Sequence, residues 1–316
     1  MRSELVVCWK EAADSTMIPG STLILRRADK GWRSIRLTVI GVIGGSGLYD
    51  LADLEDRSEH WIATPFGTPS SPVVMGAIGG TRLAFLARHG RGHHLNPSEV
   101  PYRANIFALK SLGVEHVLSV SAVGSLKEDL PPRMAVIPDQ IIDQTRQRLR
   151  TFFEEGVVAH VGMADPFCDT MRNTIHDQMT AVTDQVAKGG TYLCIEGPQF
   201  STRAESNLYR SWGASIIGMT AMPEARLARE AGLCYATLAM VTDYDVWHET
   251  EDDVTVETVL RVLHMNVEVA KDVVRRLARQ GLPECTSGCR QALDNAVITS
   301  DASLSDSARS RLALFR

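Results

Sequence analysis

From residue 37 onward, apolar runs of strand length alternate with stretches of helical period. Residues 37–43 and 233–241 are nearly unbroken apolar runs rich in β-branched and large aliphatic side chains. Runs without polar alternation suit strands covered on both faces of a sheet. Residues 72–78 and 81–87 are two further strand-like runs separated only by Gly79-Gly80, a strong hairpin signal. Residues 115–123, 134–142, 191–196 and 215–220 complete the predicted strands. Helical spacing runs through 98–112, which stops at Gly113, and through 171–187. Thr202-Arg-Ala-Glu205 is a capping box opening a helix that ends at Trp212-Gly213. Pro223 stands near the start of a helix ending at Gly232, and residues 253–280 form one long amphipathic helix.

Strands alternating with helices predict an α/β fold: a single three-layer domain with a central mixed β-sheet flanked by helices. No repeat or linker divides it. Residues 1–36 show no clear period and read as an extension outside the core, with the domain proper at 37–298. The Ser- and Asp-rich end, 299–316, reads as a mobile tail.

The 316 residues suffice for one large domain, and 44% hydrophobic with 22% charged residues is ordinary globular composition. A net charge of −5 gives no electrostatic reason to expect a nucleic acid or an anionic membrane as partner. No apolar run reaches the roughly 18 residues that a spanning helix needs, and the N-terminus lacks a secretory pattern, so a cytoplasmic protein is expected. Of the 6 cysteines, Cys194 and Cys234 lie in apolar runs and read as reduced core residues. The spacing of Cys285 and Cys289 would put them on one helical face, where a reversible disulfide is conceivable. With no second cysteine or histidine pair in sight, no metal site is expected.

Candidate chemistry gathers where strands end, the place where open α/β sheets bind ligands. The run 233–241 delivers Asp243, Tyr244 and Asp245, two carboxylates that would serve equally as helix caps or as acid groups facing a ligand. Gly44-Gly-Ser-Gly47 follows the first core strand, and Ser46 adds a hydroxyl to backbone N–H groups that could approach an anion. The same pattern also fits a simple tight turn, and it lacks the third glycine of a dinucleotide fingerprint. Arg88-His-Gly-Arg-Gly-His-His94 gathers cationic and imidazole donors at a strand end of an acidic protein, which points to an anion site. Ser121 and Thr220 supply further hydroxyls, while Met219 and Phe200 could flank a flat ligand. Anion donors opposite a protonatable carboxyl suit a reaction in which an oxyanion attacks while a basic leaving group takes a proton.

Several ordered motifs together resemble the S-methyl-5′-thioadenosine phosphorylases of the trimeric purine nucleoside phosphorylase family. They are Gly41-Val-Ile-Gly-Gly-Ser-Gly-Leu48, Thr64-Pro-Phe-Gly-Thr-Pro-Ser70, Ala87-Arg-His-Gly90, Gly218-Met-Thr220, Thr242-Asp-Tyr-Asp245 and the run from Ile195 through Gly197, Pro198 and Arg203 to Ser206. The similarity spans about 38–298. It implies phosphorolysis of the nucleoside to adenine and 5-methylthioribose 1-phosphate, with phosphate as co-substrate and neither metal nor organic cofactor. By motif, Ser46, Arg88, His89, Ser121, Ala122 and Thr220 would hold phosphate, with serine at 46 and 121 where many relatives carry threonine. Met219 would pack on the ribose, Asp243 and Asp245 would face the purine, and Ser201 would lie near the base. The resemblance further implies a homotrimer whose 5′ pocket is completed by a neighbouring subunit, with His160 and the segment near Val297 as the lent parts.

On this reading Asp243 is the general acid, its pKa raised by burial beside Asp245. A phosphorylase for 6-oxopurine nucleosides is the alternative within the family. A carboxylate accepts from a 6-amino group but repels a 6-oxo group, so the two aspartates favour adenine. A nicotinamide-dependent oxidoreductase and a non-enzymatic nucleoside sensor are the alternatives from other classes.

Overall fold

The computed structural model describes residues 22–26, 32–36, 38–248 and 256–315. Within the extension, β1 (Thr22–Arg26) and β2 (Trp32–Arg36) pair antiparallel with each other in a sheet of their own. The main sheet opens with β3 (Val39–Gly44), β4 (Glu55–His60), β5 (Val73–Ile78) and β6 (Thr81–Ala87). β5 and β6 are the expected hairpin: Ile78 pairs with Thr81, and Gly79 and Gly80 have φ of 58° and 85°. Two positive-φ residues in a two-residue loop match the strand twist, which explains the glycines. Helix α1 (Tyr102–Ser111) leads into β7 (Val114–Ser125), followed by β8 (Ala135–Ile137) and β9 (Gln140–Asp143). Then come α2 (Asp169–Thr180), β10 (Val186–Lys188), β11 (Thr191–Cys194), α3 (Arg203–Ser211) and β12 (Ile216–Gly218). The chain finishes with α4 (Ala221–Glu230), β13 (Cys234–Asp243), α5 (Val256–Gln280) and α6 (Asp306–Leu312).

The sheet runs β10-β8-β13-β7-β3-β6-β5-β4 and is mixed. Its centre is parallel, β13 with β7, β7 with β3 and β3 with β6, whereas β4 and β5 add antiparallel strands at one edge. β4 is exposed throughout, and its Glu-Asp-Arg-Ser-Glu-His sequence keeps that edge charged and unattractive to other strands. β7 is long enough to serve three partners, since besides β3 and β13 its last residues, Gly124 and Ser125, pair with β12. Side chains alternate across the central strands. Tyr235, Ala239 and Val241 join the cluster under α1 and α4, while Cys234, Ala236, Leu238 and Met240 join the one under α2 and α5. The three-layer α/β domain follows from that alternation of two buried faces.

Several boundaries differ from the sequence reading. The 134–142 run splits into β8 and β9 at Pro138, which cannot donate to a ladder. The 171–187 helix ends at Thr180, and residues 186–188 become β10. α1 begins only at Tyr102, after Pro101. The start of the 253–280 helix lies partly outside the described residues. The tail expected to be mobile instead forms α6, capped by the Ser305 hydroxyl accepting from the Ala308 N–H, and it buries Leu312 and Phe315. Phe315 meets Phe107 and Phe152 at ring-centroid distances of 5.7 and 4.5 Å. One aromatic anchor thus outweighs the polar composition around it.

Candidate functional site

The carboxyl ends of β3, β6, β7, β12 and β13 converge on a cavity of about 560 Å³. Arg88, His89, Ser121, Ala122, Thr220, Met219, Phe200, Ser201, Asp243 and Asp245, all singled out from sequence, line it. Ser46 opens the short turn Ser46–Tyr49 between Gly45 and Gly47, which both line the same cavity.

At the donor end, Arg88 is buried and its fork is committed to protein. Nε donates to Glu224 Oε2 at 2.8 Å and Nη2 to Glu224 Oε1 at 3.0 Å. Nη2 also reaches Ser119 Oγ at 2.7 Å, and Nη1 donates to the Val120 carbonyl at 3.0 Å. The Nε and Nη2 edge of Arg88 is thus taken by a bidentate contact to Glu224, while the residue still lines the cavity. A ligand in the cavity meets an arginine whose charge is already balanced. His89 Nδ1 lies 2.9 Å from the Leu95 carbonyl. A carbonyl only accepts, so Nδ1 carries the proton and Nε2 is the other ring atom. Burial and then the Arg88 charge push the His89 pKa down to about 4, so the ring is neutral. His93 stacks on it with centroids 4.3 Å apart and also lines the cavity. Thr220 is the N-cap residue of α4, yet its side chain makes no capping bond.

At the acid end, Asp243 Oδ1 accepts the Asp245 N–H at 2.8 Å and Oδ2 meets the Thr242 hydroxyl at 2.7 Å. Burial raises the Asp243 pKa against those two bonds. Asp245 is also raised, to about 6, with burial the largest cause and the Asp243 charge contributing. Local structure explains the placement. The β13–β7 register skips between Val241 and Asp243, a bulge that turns the acids toward the cavity. Gly124 of β7 gives them room, since a Cβ there would meet Asp243 Oδ1 at 2.9 Å. Ser121 Oγ, Ser201 Oγ and Asp245 Oδ2 are buried polar atoms without a protein partner. Buried polar atoms are rarely left so, and these three face one cavity, as expected of groups held for a ligand.

Beside Arg88–Glu224, a second supporting ion pair escaped the sequence reading. Arg148 Nε donates to Glu196 Oε1 at 3.1 Å, while Nη1 donates to the Met219 and Met222 carbonyls, each at 2.6 Å. This buried guanidinium fixes the backbone that carries Met219 beneath the Gly197–Ser201 loop. Gly197 has φ of 65°, and a Cβ there would strike Met219 Sδ at 2.5 Å, so that loop packs directly on the methionine. Glu196 is pulled down to about 2: burial opposes ionisation, but bonds from the Arg146 N–H, Ser98, the Gln147 N–H and Arg148 outweigh it. Asn266 of α5, also missed, lines the cavity with Nδ2 donating to the Val241 carbonyl at 3.3 Å.

His160 and Val297 do not line this chain's cavity. They lie together in another place, where Ala159 bridges Val297 and the His160 N–H donates to the Ala296 carbonyl at 2.8 Å. Cys285 and Cys289 do not share a helical face either. They follow α5 in irregular chain and meet Cys168 and Cys234, with all four sulfur atoms within 4.8 Å of one another. The expectation that no second pair exists is thereby corrected.

The model of the phosphorylase superfamily matches residues 39–279. An S-methyl-5′-thioadenosine phosphorylase from Koribacter versatilis is 56% identical over 261 residues, which cover 82% of this chain and 89% of the relative. The crystal structure of a methylthioadenosine phosphorylase from an antarctic soil metagenomic library superposes with a TM-score of 0.83 at 48% identity, covering 88% of this chain and 99% of the other. A Schistosoma mansoni methylthioadenosine phosphorylase in complex with adenine gives 0.75 at 36% identity, covering 81% and 96%.

Proposed function

This chain belongs to the phosphorylase superfamily, and we propose that its strand-end cavity performs phosphorolysis of S-methyl-5′-thioadenosine, giving adenine and 5-methylthioribose 1-phosphate. The carrying observation is that one cavity joins a hydroxyl- and imidazole-lined end to two carboxyls, one half-buried and one buried, with raised pKa. Phosphate sits at the first end, against His89, Ser121, Thr220 and the backbone around Ser46 and Ala122. Adenine sits at the second, with Met219 under the ribose and Phe200 beside the base.

Adenine leaves slowly as an anion. Asp243, whose pKa burial raises, takes up a proton and passes it to an imidazole nitrogen of the base as the glycosidic bond breaks. The ribosyl carbon gains positive charge, the nearby phosphate stabilises it and then bonds to it, and the electron pair of the old bond stays with neutral adenine. Asp245, mostly ionised near neutral pH, accepts from the exocyclic amine. No organic cofactor or metal takes part in these steps. The test is phosphate-dependent base release from methylthioadenosine, methylthioinosine, adenosine and inosine side by side. Turnover of the 6-amino substrates supports the reading, and preference for the 6-oxo pair overturns it.

The enzyme works as a cytoplasmic homotrimer with shared sites, on the same reading. Among the described residues no helix is long and apolar enough to cross a membrane. The paired segments around His160 and Val297 expose Val158 and Ile298, the latter 66% accessible, as an apolar face near no other use. Seated against a neighbour's cavity, that face would cover a 5′-methylthio group, contributing on the order of 1–2 kcal/mol. Light scattering at assay concentration should give three times the 34.7 kDa chain mass. Fully active monomer would remove the shared site, and a His160→Ala variant with unchanged preference for methylthioadenosine over adenosine would remove His160 from the pocket.

A further inference from the structure

Four cysteines meet at the amino end of β13, the opposite end of that strand from Asp243. Cys168 is the N-cap residue of α2, Cys234 is the first residue of β13, and Cys285 and Cys289 lie in the segment after α5. Cys168, Cys234 and Cys289 are buried and Cys285 is half-buried. These positions are far apart in sequence, yet their sulfur atoms all lie within 4.8 Å of one another. The nucleoside reaction uses none of them.

Their separation selects the chemistry. A disulfide needs sulfur atoms at roughly 2.05 Å, whereas Cys168 Sγ and Cys285 Sγ are 3.8 Å apart. A tetrahedral ion with metal–sulfur bonds of ~2.3 Å sets its sulfur ligands about 3.8 Å apart. The Cys285-Thr-Ser-Gly-Cys289 spacing fits a zinc-binding turn, and Gly288 supplies a left-handed residue within it, with φ of 66°. The surroundings suit thiolates. Cys168 sits at a helix N-terminus, whose dipole favours the anion. The buried Arg229 directs Nη1 at Cys289 Sγ, 3.7 Å away, and offsets part of the negative charge that four thiolates and one dication would carry. Ser287 Oγ lies 3.7 Å from Cys168 Sγ and accepts from the Thr170 N–H, which ties the turn to α2.

We propose that Cys168, Cys234, Cys285 and Cys289 bind one Zn²⁺ ion in a closed tetrathiolate site that pins the chain after α5 to the base of the sheet. Four thiols release four protons on binding and no electron moves, so no oxidant is involved. The ion is structural, because a fully ligated site leaves no open position for substrate. The pinned segment continues to Val297, so the site also fixes the strip that bridges Ala159.

The test uses the full chain purified in reducing, chelator-free buffer. Atomic emission should find about one equivalent of zinc per chain, with the four thiols protected from a thiol reagent until the metal is removed. Cys285→Ser, at the half-buried position, should lose most of that zinc. A strong chelator should lower the Tm of the wild type and leave that of Cys285→Ser nearly unmoved. Wild-type protein that stays zinc-free after Zn²⁺ supplementation overturns the proposal. So does a Cys168–Cys234 or Cys285–Cys289 disulfide in non-reducing peptide maps of a parallel batch purified without reductant, or a red, iron-loaded protein. The wild-type metal content decides the matter even if the variant fails to fold.

Discussion

The Arg88 guanidinium and the Glu224 carboxylate form a buried fork beneath the hydroxyl- and imidazole-lined end of the cavity, with Nε–Oε2 at 2.8 Å and Nη2–Oε1 at 3.0 Å. Tyr235 adds its hydroxyl to Glu224 Oε1 at 2.9 Å. Glu224 therefore aims Arg88 and cancels its charge at once. Breaking one side of a buried pair costs about 3–5 kcal/mol, mostly through the charge left behind. Glu224→Gln should lose Tm in phosphate-free buffer and recover more of it on adding phosphate than the wild type gains, because the anion now answers an uncompensated cation. Equal phosphate-induced gains in the two proteins would show that Arg88 does not face the anion.

Asp243→Asn should lower turnover on methylthioadenosine by at least ~10²-fold, the scale of general acid catalysis. Its pKa is raised by burial, so the proton-donating form persists further toward neutrality and is lost as pH rises. The wild-type kcat/KM should fall on the alkaline side for that reason, and the variant should lack that limb. Near-normal turnover in the variant would remove Asp243 from the acid role.

His89 is neutral with its proton on Nδ1, held by the Leu95 carbonyl, so Nε2 can only accept. Hydrogen phosphate carries a proton to donate there, and sulfate does not. A lost hydrogen bond to a charged group amounts to about 1.5–3 kcal/mol, so sulfate should compete at least ~10-fold more weakly than phosphate binds. Inhibition constants for sulfate matching the phosphate KM would contradict this proton assignment.

Glu230 is buried on α4, accepting the Thr151 hydroxyl and the Phe152 N–H, each at 2.7 Å. Burial lifts its pKa to about 7 in spite of those bonds. A raised folded pKa contributes stability that is complete below the ordinary value near 4.5 and is lost as pH rises through about 7. The shift corresponds to at most about 3 kcal/mol. Glu230→Gln keeps the shape without the charge, so its denaturation midpoint should exceed the wild type's at pH 8 and lose that advantage at pH 5. A pH-independent difference would assign the effect to packing.

The strands and their ends were legible because their signals are local. Gly79-Gly80 dictates a hairpin, and an apolar run delivering Asp243 and Asp245 dictates a site at a strand end. The second layer was not legible, because its partners are remote. Arg88 and Glu224 stand 136 residues apart, Arg148 and Glu196 stand 48 apart, and Cys168 and Cys285 stand 117 apart. No periodicity links such positions before the sheet is assembled. The tail misled for the opposite reason: its average polarity is real, and a few buried side chains, Leu304, Leu312 and Phe315, decide its fate.

β7 carries Ser121 at the hydroxyl-lined end of the cavity and Gly124 beside the two aspartates, three positions along one extended strand. At ~3.3 Å per residue they are about 10 Å apart. A single backbone segment, paired with β13 along its length and with β12 at Gly124, thus acts as a ruler between the hydroxyl-lined end of the cavity and the two aspartates. Loops around the cavity can open, close or change their side chains without altering that interval, and only a slip of the β7 register would change it.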